Sequence, residues 1–237
     1  MLFDPMYWLI IGAGMILSLW ASMKTKGTFH KFSQYTTQSR MTGADVARAI
    51  LRDANISGVT IEPIRGNLTY HYDPRTRTLR LSEGVYGSTS MSAAGVAAHE
   101  VGHAIQHAEG YAPLKFRSAW VPVANLGGGI SIFVLIAAAM LGGAASVLGS
   151  QVALVGVLLF ATTTVFTLVT LPVEFDASKR ALATLNRGGY LTRDELSGAK
   201  KVLDAAAMTY VAAFITSALT LFYWAMRLGL LGGRRDD

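Results

Sequence analysis

The chain contains no cysteine. That excludes disulfides and any thiolate metal site, and it leaves the redox compartment unread. Charge is scarce as well. Only 15% of the 237 residues are Asp, Glu, Lys or Arg against 51% hydrophobic, and mean hydropathy is +0.37. Soluble domains carry about 25% charged residues, so an ordinary soluble class is excluded. The scarcity is also uneven. Residues 5–23, 118–173 and 205–226 hold no Asp, Glu, Lys, Arg or His at all. A metal transporter would place ionisable ligands inside its spans, and these runs have none. An intramembrane protease would need an Asp ligand there, and none occurs.

The charge-free runs predict four transmembrane helices. One span needs about 20 residues. Residues 5–23 make the first, opened by Asp4 as N-cap and Pro5 at the first helical position. No Lys or Arg precedes that run, so the expectation is a retained anchor and not a cleaved signal peptide. The 56 residues of 118–173 make two spans, 118–141 and 151–173, joined around Gly142-Gly143 to Ser150. Residues 205–226 make the fourth, with Tyr210, Tyr223 and Trp224 suited to interfacial belts, and 227–237 form a tail. Four spans put 24–117 and 174–204 on one side of the bilayer. That side carries 18 of the 21 basic residues, with Lys24, Lys26, Lys31, Lys115 and Arg117 close to spans. It is therefore expected to be cytoplasmic, with the termini opposite; Arg227, Arg234 and Arg235 count against that orientation. The net charge of +6 fits a membrane surface better than nucleic acid, because the basic residues cluster beside apolar runs.

Within 24–117 stands His99-Glu100-Val101-Gly102-His103. His residues four apart project from one helix face about a turn apart, so both imidazoles reach one Zn²⁺ at about 2.0–2.1 Å. Glu100 is placed to take a proton from a water on that metal. The helix is predicted over 90–108, with Ser90 or Ser92 as N-cap and Gly110 and Pro113 as the stop. Gly102 inside it costs about 1 kcal/mol of propensity, which is tolerable if another element packs close there. His107 continues the stripe too far along to join the same site, and is expected either behind the ligands, supporting them, or at an interface. A metzincin would need Gly at 106 and His at 109, where this chain has Gln106 and Glu109. The third ligand comes from elsewhere.

Elsewhere on that side, 42–54 reads as an amphipathic helix capped by Thr42, 59–64 as a strand, and 68–72 with 76–82 as a hairpin around Asp73-Pro74-Arg75. The segment 77–81 is a candidate edge strand for an extended peptide. Residues 191–203 read as a separate packing helix with a capping box, Thr192 to Glu195. Pro172 to Ala181 reads as another helix start, with Glu174 in its first turn. Glu174 is either an interfacial acid favoured by the helix dipole or the carboxylate that completes a His₂Glu zinc site.

Several stretches together resemble the YugP-like neutral zinc metallopeptidases, bacterial integral-membrane proteins related to the broader membrane gluzincins. They are Leu68-Thr69-Tyr70-His71-Tyr72-Asp73-Pro74, Leu79-Arg80-Leu81-Ser82, Val96-Ala97-Ala98-His99-Glu100-Val101-Gly102-His103-Ala104-Ile105-Gln106, and Pro172-Val173-Glu174-Phe175-Asp176-Ala177. The resemblance runs through nearly the whole chain, span order included. It implies one Zn²⁺ on His99 and His103 with Glu174 as third ligand, and Glu100 as catalytic base. It also implies a mainly α membrane protein whose zincin-like α+β catalytic region is built from 24–117 and 174–204. Many related gluzincins carry Asp four residues after the ligand Glu, where it orients a zinc-bound His. This chain has Ser178 there, so that role is either weaker, through Ser178 itself, or taken by Asp176 or Asp73.

The expected function is zinc-dependent endoproteolysis of membrane-proximal or misfolded proteins, with a protein or peptide substrate, the lipid bilayer as surroundings and a homo-oligomer open. The oxyanion needs a further donor, for which His71, Tyr86, Tyr190 and Arg180 are candidates. The alternative is a catalytically silent zinc-binding scaffold or regulator. Because Glu174 follows a charge-free run directly, the cleft is expected to open just above the lipid.

Overall fold

The structure, a computed structural model, describes residues 4–228. The tail expected at 227–237, with Arg234 and Arg235, lies outside the described residues from 229 onward. The elements run in the order α1 (Pro5–Ser33), α2 (Gly43–Asp53), β1 (Thr60–Ile64), β2 (His71–Asp73), β3 (Thr78–Ser82), α3 (Glu83–Tyr86), α4 (Met91–Ala108), α5 (Ala112–Met140), a 3₁₀ turn (Gly143–Ala145), α6 (Val147–Arg187) and α7 (Arg193–Arg227). The protein is mainly helical with one small sheet. α1, α5, α6 and α7 are long and apolar enough to cross a bilayer.

The chain divides into two units. Unit 1 is Met1–Trp20, Phe116–Thr170 and Tyr210–Asp237; unit 2 is Ala21–Lys115 and Leu171–Thr209. In unit 1 the helices meet through small residues. A Cβ on Gly127 would stand 2.1 Å from Thr162 Oγ1, and one on Gly156 would meet the Leu135 side chain at 2.8 Å. The Trp120 indole N–H donates to the Thr162 carbonyl at 2.9 Å, and the Thr167 and Ser217 hydroxyls pair at 2.9 Å. Close backbones and interhelical hydrogen bonds are what hold helices together in lipid. Large apolar side chains such as Phe133, Met140 and Val147 are exposed. That is the polarity a bilayer requires.

Unit 2 is built around α4. Every residue from Ser92 to Gln106 is buried, and α4 shares one core with Val46 and Ile50 of α2, Leu79 and Leu81 of β3, Ala181 and Leu185 of α6, and Val202 and Leu203 of α7. The Ser90 hydroxyl caps α4 by accepting from the Ala93 N–H, and Gly110 at φ +68° ends it while the Tyr111 N–H bonds back to the Gln106 carbonyl. Pro113 sits in the first turn of α5. Thr42 and Asp45 form a capping box on α2, and Thr192 and Glu195 form one on α7.

The structure corrects three expectations. β3 is not an edge strand: the sheet order is β1-β3-β2, with β1 parallel and β2 antiparallel to β3. The hydrophobic run Leu79 to Leu81 supplies core from the middle position, and β2 forms an edge. Pro172 does not start a helix. It lies inside α6, which runs unbroken for 41 residues. Proline removes one N–H and its ring crowds the preceding turn, but a helix packed among neighbours tolerates that. Likewise 191–203 is not a separate helix, because α7 continues from Arg193 to Arg227. Nothing at 204–205 breaks helical periodicity; only the polarity changes there.

Candidate metal centre

α4 and α6 cross where both carry small residues. A Cβ on Gly102 would stand 2.5 Å from the Ala177 carbonyl oxygen, so only glycine lets α6 approach the motif this closely. Val173, Ala177 and Ala181, one turn apart along α6, are fully buried. The neighbouring face of α6 carries Glu174 and Ser178, again one turn apart. This is the physical reason for the glycine expected from sequence.

At the crossing, His99, His103 and Glu174 converge. Their ligand atoms lie within 4.8 Å of one another, and all three residues are buried. His99 Nε2 stands 3.2 Å and His103 Nε2 3.5 Å from the same Glu174 oxygen, Oε2. The rings are nearly perpendicular, with centroids 4.8 Å apart. Glu100, in the same turn of α4, is 4% exposed.

The outer nitrogen of each imidazole is occupied. His99 Nδ1 lies 3.1 Å from Ser178 Oγ, and His103 Nδ1 lies 3.0 Å from Gln106 Oε1. Gln106 Oε1 only accepts, so Nδ1 of His103 donates in that contact and Nε2 is turned toward Glu174. Gln106 in turn donates from Nε2 to the Val173 carbonyl and to Asp176 Oδ2, both at 2.8 Å. Arg180 holds Asp176 at 2.5 Å and Glu109 at 2.6 Å. The chain of contacts from His103 through Gln106, Asp176 and Arg180 to Glu109 fixes the ring's tautomer and tilt. Two imidazole nitrogens and a carboxylate oxygen then converge on one point. Such an acceptor set is stable when a cation sits among the three, and two nitrogens with one carboxylate oxygen suit Zn²⁺.

The other sequence candidates fall as follows. Ser178 itself meets His99, and Asp176 reaches His103 by way of Gln106. Asp73 instead organises the turn after β2, accepting from the Arg75 N–H and the Thr76 hydroxyl. His71 is exposed and contacts the Thr69 carbonyl and Arg80. The Tyr86 hydroxyl accepts from Arg48, and Tyr190 donates to Asp53. Arg180 is committed to its two carboxylates. His107 pairs through Nδ1 with the Tyr72 hydroxyl at 2.9 Å.

That last contact locates a residue the sequence reading missed. Side chains two apart on an extended chain share a face and lie about 6.6 Å apart, close to the ~6 Å between helix positions four apart. Tyr70, two residues before Tyr72, is half-buried and packs against the core that α4 shares. Burial, then the charges of Glu100 and Glu174, push the Tyr70 phenol above its ordinary value. Period-two spacing from Tyr72 was the available signal. Gln106 was equally legible as the position three after His103 on one face.

The chain matches, over residues 7–229, the family described as "putative neutral zinc metallopeptidase". It is 44% identical over 225 residues to the "putative membrane protease YugP" of Bacillus subtilis (strain 168), covering 95% of this chain and 96% of that one. No solved structure matches significantly. On a family match across almost its whole length and this level of identity, the chain belongs to the YugP-like family of neutral zinc metallopeptidases.

Proposed function

We propose that the protein is a membrane-embedded zinc endopeptidase with a zincin-like catalytic region, in which His99, His103 and Glu174 hold one Zn²⁺ and Glu100 is the general base. The observation that carries the proposal is the convergence of two imidazoles and a buried carboxylate from two helices, each imidazole oriented from behind. Bound there, zinc supplies Lewis acidity, acidifying a water and polarising a peptide carbonyl.

The chain's own groups do the rest. Glu100 takes the water's proton and delivers it to the departing amine. Tyr70, kept protonated by its surroundings, donates a hydrogen bond to the oxygen that gains charge as the carbonyl is attacked. Ser178 and Gln106 hold the imidazoles so that both Nε2 lone pairs stay aimed at the metal.

Glu174 also sets where cutting happens. It lies on α6 four residues beyond Thr170, about 6 Å along the axis, on a helix whose preceding residues are free of charge. On this reading the substrate bond lies close to the lipid boundary, and the distribution of Lys and Arg supports the cytoplasmic side. Juxtamembrane segments and misfolded membrane proteins fit that depth.

One experiment addresses chemistry and depth together. Purified wild type and Glu100→Gln are assayed for zinc and for cleavage of substrates whose cleavable sequence is moved stepwise away from a transmembrane helix. Glu100→Gln should keep one zinc per chain and lose about 10²–10⁴-fold in rate, and wild type should cut best near the helix. Normal turnover by the variant would sink the mechanism, and equal cutting at every distance would sink the placement. A silent zinc-binding scaffold would leave the whole ladder uncut by wild type.

A further inference from the structure

Away from the metal centre, α1 and α7 enclose a second cleft, of about 410 Å³. From α1 it is lined by Lys24, Thr28, Lys31 and Phe32, spaced i, i+4, i+7, i+8 and so on one face. From α7 come Lys201, Asp204, Ala205 and Met208, spaced i, i+3, i+4, i+7. The two helices are fixed against each other along it. The Thr25 hydroxyl donates to the Ala205 carbonyl at 2.8 Å, and Gly198 lets Phe32 approach until a Cβ there would stand 3.1 Å from its ring. The cleft is thus a set feature of the fold.

Its chemistry is lopsided. Its lining carries three lysines, Lys24, Lys31 and Lys201, and the Thr28 hydroxyl, against one carboxylate, Asp204, which Lys200 holds across 2.6 Å. Met208 and Ala205 make the other end apolar. The position is equally specific. Lys24 is the first charge after the run 5–23, and Asp204 is the last before the run 205–226. Cationic and hydroxyl groups beside an apolar end, where two charge-free runs stop, match an amphiphile with an anionic head.

We infer that this cleft binds the phosphate headgroup of an anionic phospholipid, with its proximal acyl chain against Met208 and Ala205. Basic pockets between helices at the membrane surface recognise such headgroups through charge and hydrogen bonds. The inference does not depend on peptidase activity, and its test does not read it.

Full-length protein in neutral detergent is titrated with phosphatidylglycerol or phosphatidylcholine of identical acyl chains, and retained lipid is counted by native mass spectrometry. A third arm adds millimolar inorganic phosphate. Wild type should retain phosphatidylglycerol at least about tenfold in preference to phosphatidylcholine, an electrostatic preference that salt weakens. Combining Lys24→Gln, Lys31→Gln and Lys201→Gln should bring the ratio to within about twofold at unchanged zinc content. Should that variant not fold, Lys201→Glu at an exposed position carries the same expectation. Equal retention of the two lipids by wild type, or a preference that survives the substitutions, would overturn the assignment. So would displacement of phosphatidylglycerol by phosphate, which would make the cleft a site for a free anion.

Discussion

Unit 1 and unit 2 bury opposite things with the same helical period. In unit 1 the side chains turned outward are Phe133, Met140, Val147 and their like, and hydroxyls such as those of Thr167 and Ser217 are turned inward to pair. In unit 2 the helix α4 is buried from Ser92 to Gln106, yet four of its buried residues are His99, Glu100, His103 and Gln106. Outward apolar faces of that extent are stable only against lipid or a partner, and inward polar groups only with hydrogen-bonding partners or a metal. Small residues serve both units in the same way. Gly127 admits Thr162 in unit 1, and Gly102 admits the Ala177 carbonyl in unit 2. What differs is what the closeness is for. In unit 1 it supplies packing; in unit 2 it brings a carboxylate to two imidazoles.

That contrast can be broken at several places. After Glu100→Gln, the largest expected effect belongs to Tyr70→Phe, which removes the hydroxyl assigned to the developing oxyanion. kcat should fall about 10²-fold with KM and zinc content little changed; an unaltered kcat in steady-state hydrolysis would return the role to another donor. Next is Gln106→Leu, which severs His103 from Asp176. Zinc affinity, measured by competition with a chelator, should weaken about 10–100-fold. If it does not, Gln106 is a packing residue only.

The smallest effects sharpen the comparison of glycines. Gly102→Ala drives a methyl into the Ala177 carbonyl and should cost about 1–3 kcal/mol, read as a lowered Tm. Gly12→Ala, where nothing lies within 4 Å of the added Cβ, should be neutral or stabilising by up to about 1 kcal/mol. Equal shifts at the two positions would mean that the close approach at Gly102 is not what the crossing depends on.

Much of this was legible in the residues themselves. The motif at 99–103 shows because ligand spacing and helix period coincide, and Thr42, Ser90 and Thr192 show because caps need particular side chains. The charge-free runs show because lipid tolerates so little else. Continuity was harder to read. Pro172 with Glu174 carries the same letters as a helix start, and only packing along both flanks tells that α6 passes straight through. The order of the sheet was hidden too, since Leu79 and Leu81 read alike in a middle strand and in a half-covered edge. Tyr70 and Gln106 were within reach by period alone, but their roles depend on which neighbours the fold brings to them. The sequence left Ser178 open as a weaker stand-in for Asp. Its hydroxyl lies at hydrogen-bond distance from His99, and the Asp176 carboxylate serves the other imidazole through an intervening amide.

The central claim is that α6 supplies the third ligand, and the zinc-to-protein ratio tests it most directly. Wild type, Glu174→Ala and the exposed-site control Glu83→Ala are purified, dialysed against a weak chelator and measured by mass spectrometry for metal, with circular dichroism to show that each remains helical. The account predicts one zinc per chain in wild type and in Glu83→Ala, and less than about a tenth of that in folded Glu174→Ala, because two imidazoles alone hold zinc far more weakly than a three-ligand set. A full complement of zinc in folded Glu174→Ala would contradict it.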